Sequence, residues 1–432
     1  MNATAKAVLA LLKKADPKAE ALLTVLNNHR AHTRFARGEI TTSGENEDVS
    51  LSLTVQLGLR SSSATTNQVH PAALQALVER TLDSARLAPE LPETMPVLGA
   101  QKVTPNNLVD PELSKLDAAA RAKGIVAALS HSKDDLITAG YLEVNGGTLQ
   151  RVSTAGLDVS AAYNDARFSV TSRTKDGTGS GWRAVSTRKR SELDFDRIGR
   201  IAAENAEKAR ASAQPKTIEP GRYTVVLEPA AATMLTEYFV FGLDRRALDE
   251  GRSAFVGKVG QRVANERITI RSDPRTSPML PFDAEGLALA PHTWVKQGVL
   301  LEPFVTRFWG KKQNLAPTGN PDGFELVAGD AKREQLFAGI KRGVLISRFW
   351  YPNYIDEKTL SITALTRDGT FLIEDGQVTQ PIKNFRINQS VLAALDAVDA
   401  VGDSPESTYY SDVRAPALRT HEFLLASPSD AV

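Results

Sequence analysis

The chain has 432 residues, of which 42% are apolar and 24% are charged, so it can fill the cores of two globular domains. Its 52 basic and 51 acidic residues leave a net charge of +1, which argues against direct binding of nucleic acid. The absence of cysteine excludes disulfides and thiolate metal ligands, and it fits a reducing compartment.

The N-terminal region is predicted to be helical. Apolar residues at three-to-four spacing predict a helix over residues 4–30 with a break at Pro17. The apolar run 7–12 is shorter than the core of a secretory signal, and Lys13 follows it, so we interpret it as one face of an amphipathic helix. No stretch reaches the roughly 18 apolar residues that a spanning helix needs. We therefore expect a soluble, cytoplasmic protein without membrane contact.

Alternation and capping signals define the elements that follow. Residues 50–57 alternate apolar and polar side chains, which predicts a half-buried strand. Helices are predicted over 71–87 and 111–130, each beginning at a proline. A capping aspartate and apolar residues at helical spacing predict a further helix over 194–211.

Two Gly-containing pairs predict β-hairpin turns between strands. They are Asn145-Gly146 and Asp176-Gly177, and each stands between alternating segments. The second pair opens the run Gly-Thr-Gly-Ser-Gly. This run lacks the Lys-Ser/Thr ending and the directly following helix of a phosphate loop, so a turn is the favoured interpretation.

The second half is predicted to be mostly strand. Strands are predicted over residues 223–227, 268–271, 299–305, 359–365 and 370–373. Turns are predicted at Asp368-Gly369 and Asp375-Gly376. Helices are few: one begins near Pro229, and two more are predicted over 332–341 and 389–398.

These elements predict an α+β fold of two domains. Residues 1–211 form an N-terminal domain in which helices pack on a mostly antiparallel sheet, and residues 222–432 form a mainly β domain with few helices. Residues 212–221 contain two prolines and a glycine without periodicity, which is typical of a linker.

Histidines and cysteines give no strong metal motif. The six histidines are His29, His32, His70, His131, His292 and His421. Only His29 and His32 are close in sequence, and we expect them to be exposed at the end of the first helical region, without a neighbouring carboxylate at ligand spacing. A serine nucleophile is not indicated either, because no G-x-S-x-G motif is present.

Paired acids and one basic run complete the candidates. Acidic pairs occur at Asp249-Glu250 and at Asp283 with Glu285. The second pair lies in a turn-like segment, where aspartate and glycine are favoured for backbone reasons, but a catalytic role stays open. Acidic residues close in sequence compensate the charge of the basic run 188–190, so a solvated surface is the favoured interpretation.

The order of several segments resembles the TldD/PmbA family, also called modulator of DNA gyrase or peptidase family U62. The second half carries "YTVVLEPAAATMLTEYF" at 223–239, "DEGRSAFVGKVGQRV" at 249–263 and "LPFDAEGLALAPHTWVKQGVL" at 280–300, then "GTFLIEDGQVTQPIKNFRINQSVLAAL" at 369–395. In the first half, "VSTAGLDVS" at 152–160 and "LDFDRIGRIAAENAEKARAS" at 193–212 are similar to family segments as well.

The resemblance implies a degenerate metal motif. TldD-type members carry H-E-x-x-x-H on the helix after the first strand of the C-terminal domain, and they are metallopeptidases. The matching positions here are Thr236, Glu237 and Phe241, so both imidazole ligands are missing. A neutral hydroxyl is a poor substitute for imidazole, and phenylalanine offers no lone pair. The resemblance therefore implies no metal in this chain and zinc only in a TldD-type partner.

Three functions are compatible with this pattern. The resemblance favours a TldE/PmbA-like, non-catalytic subunit that pairs with a TldD-type metallopeptidase acting on peptides or unfolded chains; a homodimer stays open. The alternatives are a stand-alone hydrolase using carboxylates, with Glu237, Asp283 and Glu285 as candidates for the substrate cleft, and a non-enzymatic regulatory protein connected with gyrase.

Overall fold

The structure is a computed structural model that describes residues 3–105, 108–132, 134–276, 279–407 and 412–430. In the first half of the chain, one sheet carries all four helices. The helices are α1 (Ala3–Ala15), α2 (Pro71–Leu87), α3 (Ala118–Leu129) and α4 (Phe195–Ala211), with short 3₁₀ turns at Leu113–Lys115 and Arg190–Glu192. The strands are β1 (Glu20–Ala36), β2 (Glu39–Leu57), β3 (Arg60–Thr66), β4 (Leu136–Ser153), β5 (Asp158–Thr174) and β6 (Ser180–Thr187).

The six strands lie in the order β3-β2-β1-β4-β5-β6, and every neighbouring pair is antiparallel. Two hydrophobic clusters attach the helices to this sheet. Val8 and Leu77 pack on β1 and β2, while Ile125 and Ile198 pack around Phe168 of β5. The predicted helices over 71–87 and 194–211 are confirmed, each with its capping side chain in place.

The prediction of helix over residues 4–30 is wrong in its second half. The helix ends at Ala15, and the chain continues as strand β1 from Glu20. Leu23 is fully buried on one face of β1, whereas Leu22 and Leu26 pack on the other face against a separate cluster. Because apolar residues cover both faces of this central strand, their spacing resembles that of a helix.

One of the two hairpin predictions is also wrong. Asn145-Gly146 lies inside β4 and pairs with Arg30 and His29 of β1, so the strand runs straight through it. Asp176-Gly177 does join β5 to β6, and Gly177 has φ +74°. The predicted helix over 111–130 is shortened to α3, because Asp117 caps it by accepting from the backbone N–H of Ala120 at 2.8 Å.

The second half of the chain contains two sheets. Its strands are β7 (Gly221–Leu227), β8 (Ile270–Ser272), β9 (His292–Lys296), β10 (Val299–Leu300), β11 (Phe324–Leu326), β12 (Arg342–Asp356), β13 (Ser361–Glu374), β14 (Gln377–Pro381), β15 (Asn384–Ser390), β16 (Val398–Val401), β17 (Glu406–Ser407), β18 (Val413–Ala415) and β19 (Leu418–Ser429). Its helices are α5 (Pro229–Phe241), α6 (Arg245–Asp249), α7 (Arg307–Gln313), α8 (Arg333–Phe337) and α9 (Val391–Asp396).

One sheet has the order β10-β9-β8-β11-β18-β17. The other runs β12-β7-β19-β15-β13-β14, with β16 paired to β19. Strands β12 and β13 also pair with each other, so five strands form a closed circle in the order β12-β7-β19-β15-β13. Helix α5 leaves this circle at the end of β7 and packs against β12 and β18, which places it between the two sheets.

The predicted turn at Asp368-Gly369 is wrong. Both residues lie within the single strand β13, which replaces the two strands predicted over 359–365 and 370–373. Asp368 has φ +56° and Gly369 has φ +119°, so the pair forms an irregularity inside the strand rather than its end. The predicted strand over 299–305 is reduced to β10, whereas Asp375-Gly376 does form the turn between β13 and β14.

The α+β class and the arrangement of a helix-covered antiparallel sheet with a mainly β second half are confirmed. The two halves are joined through side chains. Phe282 packs against Leu149 and Val159 of the first sheet, and Gly286 lies so close to Leu157 that a Cβ would come within 2.4 Å of its methyl carbon. The boundaries at 211 and 222 stay a prediction.

Candidate functional site

Helix α5 is positioned by a buried ion pair at its first residue. Glu228 precedes Pro229, which occupies the first helical turn, and its carboxylate pairs with the ammonium of Lys208 on α4. Burial alone would raise the pKa of Glu228, but the charges of Lys208 and Arg183 hold this pKa below its usual value. The charged carboxylate therefore ties the start of α5 to the first half of the chain.

The structure places the three positions of the degenerate motif on the last two turns of α5. Thr236 is fully buried, and its hydroxyl donates to the backbone carbonyl of Ala232 at 2.9 Å. Phe241 points outward, with 57% of its surface exposed. The spacing of five residues puts it on a different face from Thr236.

These residues do not fit a catalytic metal. The Thr236 hydroxyl is bonded within the helix, and Phe241 has no donor atom, so neither ligand position that the resemblance implies can coordinate zinc. Within the part of the chain that the structure describes, no group of three His, Asp or Glu side chains has the arrangement of a metal site.

Glu237 faces a cleft between the two halves of the chain. The cleft has a volume of about 550 Å³. Its lining comes from β4, α5, and four loops and two strands of the second half: Arg151, Glu237, Val240, Phe241, Leu280, Phe282, Asp283, Ala284, Phe304, Asn320, Pro321, Asp322, Phe324, Asp412 and Val413. The volume falls in the range of about 300–1,000 Å³ that is common for ligand sites in proteins.

The two predicted acids of the turn have different positions. Asp283 lines the cleft, but one carboxylate oxygen accepts from the backbone N–H groups of Glu285 and Leu287, at 2.9 and 3.0 Å. Its backbone carbonyl accepts from Arg151 at 2.7 Å. Glu285 forms an ion pair with Arg307 at 2.5 Å and is not part of the cleft lining. The structure therefore brings Glu237 and Asp283 together and leaves Glu285 aside.

Sequence analysis missed two further acids of the cleft, Asp322 and Asp412. Both are accessible to water, yet the surrounding protein makes their charged forms costly. Burial, and then the charge of Asp412, raise the pKa of Asp322 to about 6. The pKa of Asp412 is also raised by burial, although Arg188 and Arg167 oppose the shift. Asp322 lies in an Asn-Pro-Asp-Gly segment, whose turn composition conceals a site residue.

The remaining candidates have structural partners. His29 and His32 lie on strand β1, not at a helix end, so their side chains point to opposite faces. His32 stacks on Tyr141 with ring centroids 5.6 Å apart. Asp249 and Glu250 pair with Arg245 and Arg246, each at 2.9 Å.

The three residues of the basic run 188–190 have different surroundings, so they do not form the solvated surface that we expected. Arg188 lines a second cavity that shares Asp412 with the cleft, and its charge acts on both Asp322 and Asp412. Lys189 remains an exposed partner of Glu192 at 3.7 Å. Arg190 donates to the backbone carbonyl of Leu193 at 2.5 Å. Arg188 thus belongs to the electrostatics of the cleft.

Fold and cleft together define an α+β protein in two parts, and Glu237 of α5 faces a ligand-sized space between them. Models of the PmbA/TldA metallopeptidase family match this chain twice, as the central domain over residues 108–210 and as the C-terminal domain over residues 220–427. The chain therefore belongs to the PmbA/TldD family of peptidases. In the described part of the chain, no helix is long and apolar enough to cross a membrane.

Individual relatives are distant. A metalloprotease of Methanothermobacter thermautotrophicus is 25% identical over 66% of this chain and 64% of its own length, so the chain spans just under two thirds of that relative. Metalloprotease PmbA of Escherichia coli O157:H7 is 22% identical over 93% of this chain and 92% of its own length.

Solved structures show the same fold. TldE from Thermococcus kodakarensis superposes with a TM-score of 0.87 at 17% identity, covering 98% of this chain and 100% of its own. A Thermotoga maritima protein provisionally described as a modulator of a DNA gyrase superposes with a TM-score of 0.82 at 19% identity, covering 98% of both chains. At these identities the likeness concerns the fold alone.

Proposed function

We propose that this chain is a TldE/PmbA-like, non-catalytic subunit of a TldD-type metallopeptidase complex that acts on peptides or unfolded chains. The observation that carries the proposal is the state of the motif on α5. Thr236 is buried with its hydroxyl bonded to Ala232, and Phe241 replaces the second imidazole of the motif. Without a metal-activated water, Glu237 has no proton-transfer partner of the kind that a metallopeptidase uses.

The cleft supports a role in shaping the substrate site. It lies between the two halves of the chain, has room for a ligand of peptide size, and contains carboxylates as well as aromatic walls. We infer that the TldD-type subunit supplies zinc and the chemistry, and that the present chain supplies part of the surface that holds the substrate. Pairing in the cytoplasm follows from the same proposal.

Metal analysis and reconstitution test this role. We expect the purified chain to contain no stoichiometric zinc and to cleave no peptide alone, and to gain peptidase activity when a TldD-type subunit is added. Co-purification from native extract should bring down that subunit together with its zinc. Tightly bound zinc beside residues 236–241, or cleavage by the isolated chain, would contradict the proposal.

A conservative variant adds a control at the motif. Thr236→Val removes the hydroxyl but keeps the shape of the buried side chain, and this hydroxyl makes its bond inside the helix. We expect the activity of the reconstituted complex to be unchanged. Loss of activity with an intact complex would indicate that the hydroxyl takes part in the chemistry.

A second candidate is a stand-alone hydrolase that uses carboxylates. Asp322 favours it, because a pKa of about 6 suits a group that exchanges protons near neutral pH. Asp283 and Glu285 favour it less, since they hold a turn and an ion pair. Activity of the isolated chain that disappears in Asp322→Asn would select this candidate over the subunit role.

A further inference from the structure

The cleft beside α5 combines aromatic walls with an excess of negative charge. Four phenylalanines contribute to its apolar surface: Phe282, Phe304 and Phe324 are buried, and Phe241 is 57% exposed. Contiguous apolar surface that is rimmed by polar residues is typical of ligand-binding grooves, whereas a single exposed apolar side chain is not. This apolar surface therefore indicates a place where a ligand docks.

The aromatic surface continues from the cleft along α5. Tyr238 lies with its ring centroid 6.3 Å from that of Phe241 and 4.7 Å from that of Tyr354 on β12. The Tyr238 hydroxyl donates to the backbone carbonyl of Pro352 at 2.9 Å. This hydrogen bond and the ring contacts hold the outer rim in one arrangement, so the groove is formed before a ligand arrives.

Charge decides which ligand fits. Four carboxylates line the cleft, from Glu237, Asp283, Asp322 and Asp412, against the single guanidinium of Arg151. That guanidinium already donates to the Asp283 carbonyl at 2.7 Å and lies over the Phe282 ring at 5.4 Å.

Further cations do not cancel this excess inside the cleft. Arg188 acts on both Asp322 and Asp412 but lines the neighbouring cavity. Among the residues that the structure describes, neither aspartate forms an ion pair within 4 Å. A positively charged group would be attracted to these carboxylates and to the faces of the aromatic rings.

We propose that this groove binds an extended peptide segment in which a lysine or arginine is flanked by apolar side chains. The basic group lies between Glu237 and Asp322, and an apolar neighbour covers Phe241. The inference rests on the proposed function in one respect, namely that the ligand is a polypeptide. It adds which peptide sequences are preferred. A free N-terminal ammonium carries the same chemistry, and the experiment separates the two sources.

Direct binding to the isolated full chain tests the preference without any catalytic partner. The probes are seven-residue peptides of alanine and leucine, acetylated and amidated, with lysine, norleucine or glutamate at the centre. A fourth peptide has central norleucine and a free N-terminal amine. By isothermal titration calorimetry at pH 7.5 and low salt, we expect the lysine peptide to bind about tenfold more tightly than the norleucine peptide, and the glutamate peptide to bind least. Added salt should reduce the preference.

The outcomes are distinct. If the lysine peptide and the free-amine peptide both bind more tightly than the capped norleucine peptide, the site accepts a cation from either source. If only the free-amine peptide binds more tightly, the ligand is a peptide N-terminus and the lysine assignment is overturned. Equal affinity for lysine, norleucine and glutamate peptides overturns the proposal on the unmodified protein, without reliance on any variant.

Matched variants locate the site. Asp322→Asn and Glu237→Gln should each lower the preference for lysine over norleucine at least threefold, whereas Asp330→Asn, a change at an exposed aspartate outside the cleft, should not. Phe241→Ala should weaken binding of all apolar peptides, whereas Tyr351→Ala, which truncates an exposed aromatic residue outside the lining, should not. A preference that survives both acidic variants overturns the assignment.

Failure here and failure of the subunit role can be told apart. If the chain shows no preference for the lysine peptide but still gives peptidase activity with a TldD-type subunit, only the proposed peptide preference is contradicted. Cleavage by the isolated chain removes the non-catalytic role and leaves the binding result standing.

Discussion

Thr236 and Phe241 depart from metal ligands for different physical reasons. Thr236 has an oxygen, but its hydroxyl is buried and donates inside the helix. Phe241 lies at the surface, where a ligand would be needed, and has no lone pair to offer. Helix α5 runs through both positions, and neither side chain provides a zinc ligand. The chemistry of single side chains therefore carries the functional proposal.

Asp322 gives a testable dependence of stability on pH. In the folded chain burial and Asp412 raise its pKa from 3.8 to about 6, although Arg188 opposes the shift. Between these values the folded state binds more protons than the unfolded state, so this group lowers stability as pH rises from about 4 to about 6. At pH 7.5 the cost is fully present.

We expect Asp322→Asn to stabilise the protein at pH 7.5 and to have little effect at pH 4. Because the group is accessible to water, the gain should be no more than about 1 kcal/mol, or a rise in melting temperature of about 1–2 °C. Thermal unfolding of the variant and of Asp330→Asn at both pH values measures it. A lower melting temperature of Asp322→Asn at pH 7.5 would contradict the assigned direction.

Helix α5 depends on α4 through the pair Lys208–Glu228. Both side chains are largely buried, at 15% and 14% exposure, and Glu228 is the residue directly before α5. Removing one partner leaves the other charge buried, whereas removing both replaces the pair with apolar contacts. The orientation of the cleft helix is thus coupled to the first half of the chain.

We expect Lys208→Met to lower the free energy of unfolding by about 2–4 kcal/mol, because it leaves the Glu228 carboxylate buried without its main partner. The nearby charge of Arg183 still stabilises that carboxylate and limits the loss. The double variant Lys208→Met/Glu228→Leu should lose less than the sum of the two single variants. Urea unfolding of the three variants measures the coupling. Additive losses would show that the pair contributes no interaction of its own.

In the complete molecule, the two halves meet through buried polar contacts as well as through Phe282. Asp368 of β13 accepts from Ser180 of β6 and from Arg348 at 2.6 Å. Arg183 of β6 donates to both carboxylate oxygens of Glu406, at 3.0 and 3.2 Å. Breaking these contacts would leave polar groups unsatisfied in the interface.

We therefore expect the full chain to unfold in one calorimetric transition, since neither half can lose its structure without exposing this interface. Differential scanning calorimetry, with the calorimetric enthalpy compared with the van't Hoff enthalpy, is the measurement. Two separated transitions would show that the interface adds little to stability, and would make the cleft a flexible joint.

Local signals in the sequence were sufficient for elements whose formation depends on nearby residues. The helices over 71–87 and 194–211 have capping side chains and one apolar face, so neighbours within four residues specify them. The turn at Asp176-Gly177 was evident for the same reason, whereas the absence of imidazoles at Thr236 and Phe241 had meaning only through the family resemblance. The α+β class followed from the sum of such elements.

Contacts distant in sequence decided the rest. Strand β1 is covered on one face by α1 and α2 and on the other by loops far along the chain, so both of its faces are apolar and its spacing appears helical. Asp368-Gly369 stays within β13 because Ser180 and Arg348 satisfy the buried carboxylate. Asp322 and Asp412 share a cleft with Glu237 only because loops distant in sequence pack beside α5. The sequence alone determined which side chains were available, whereas tertiary packing determined which of them share a charge environment, since electrostatic coupling depends on distance in space and on burial.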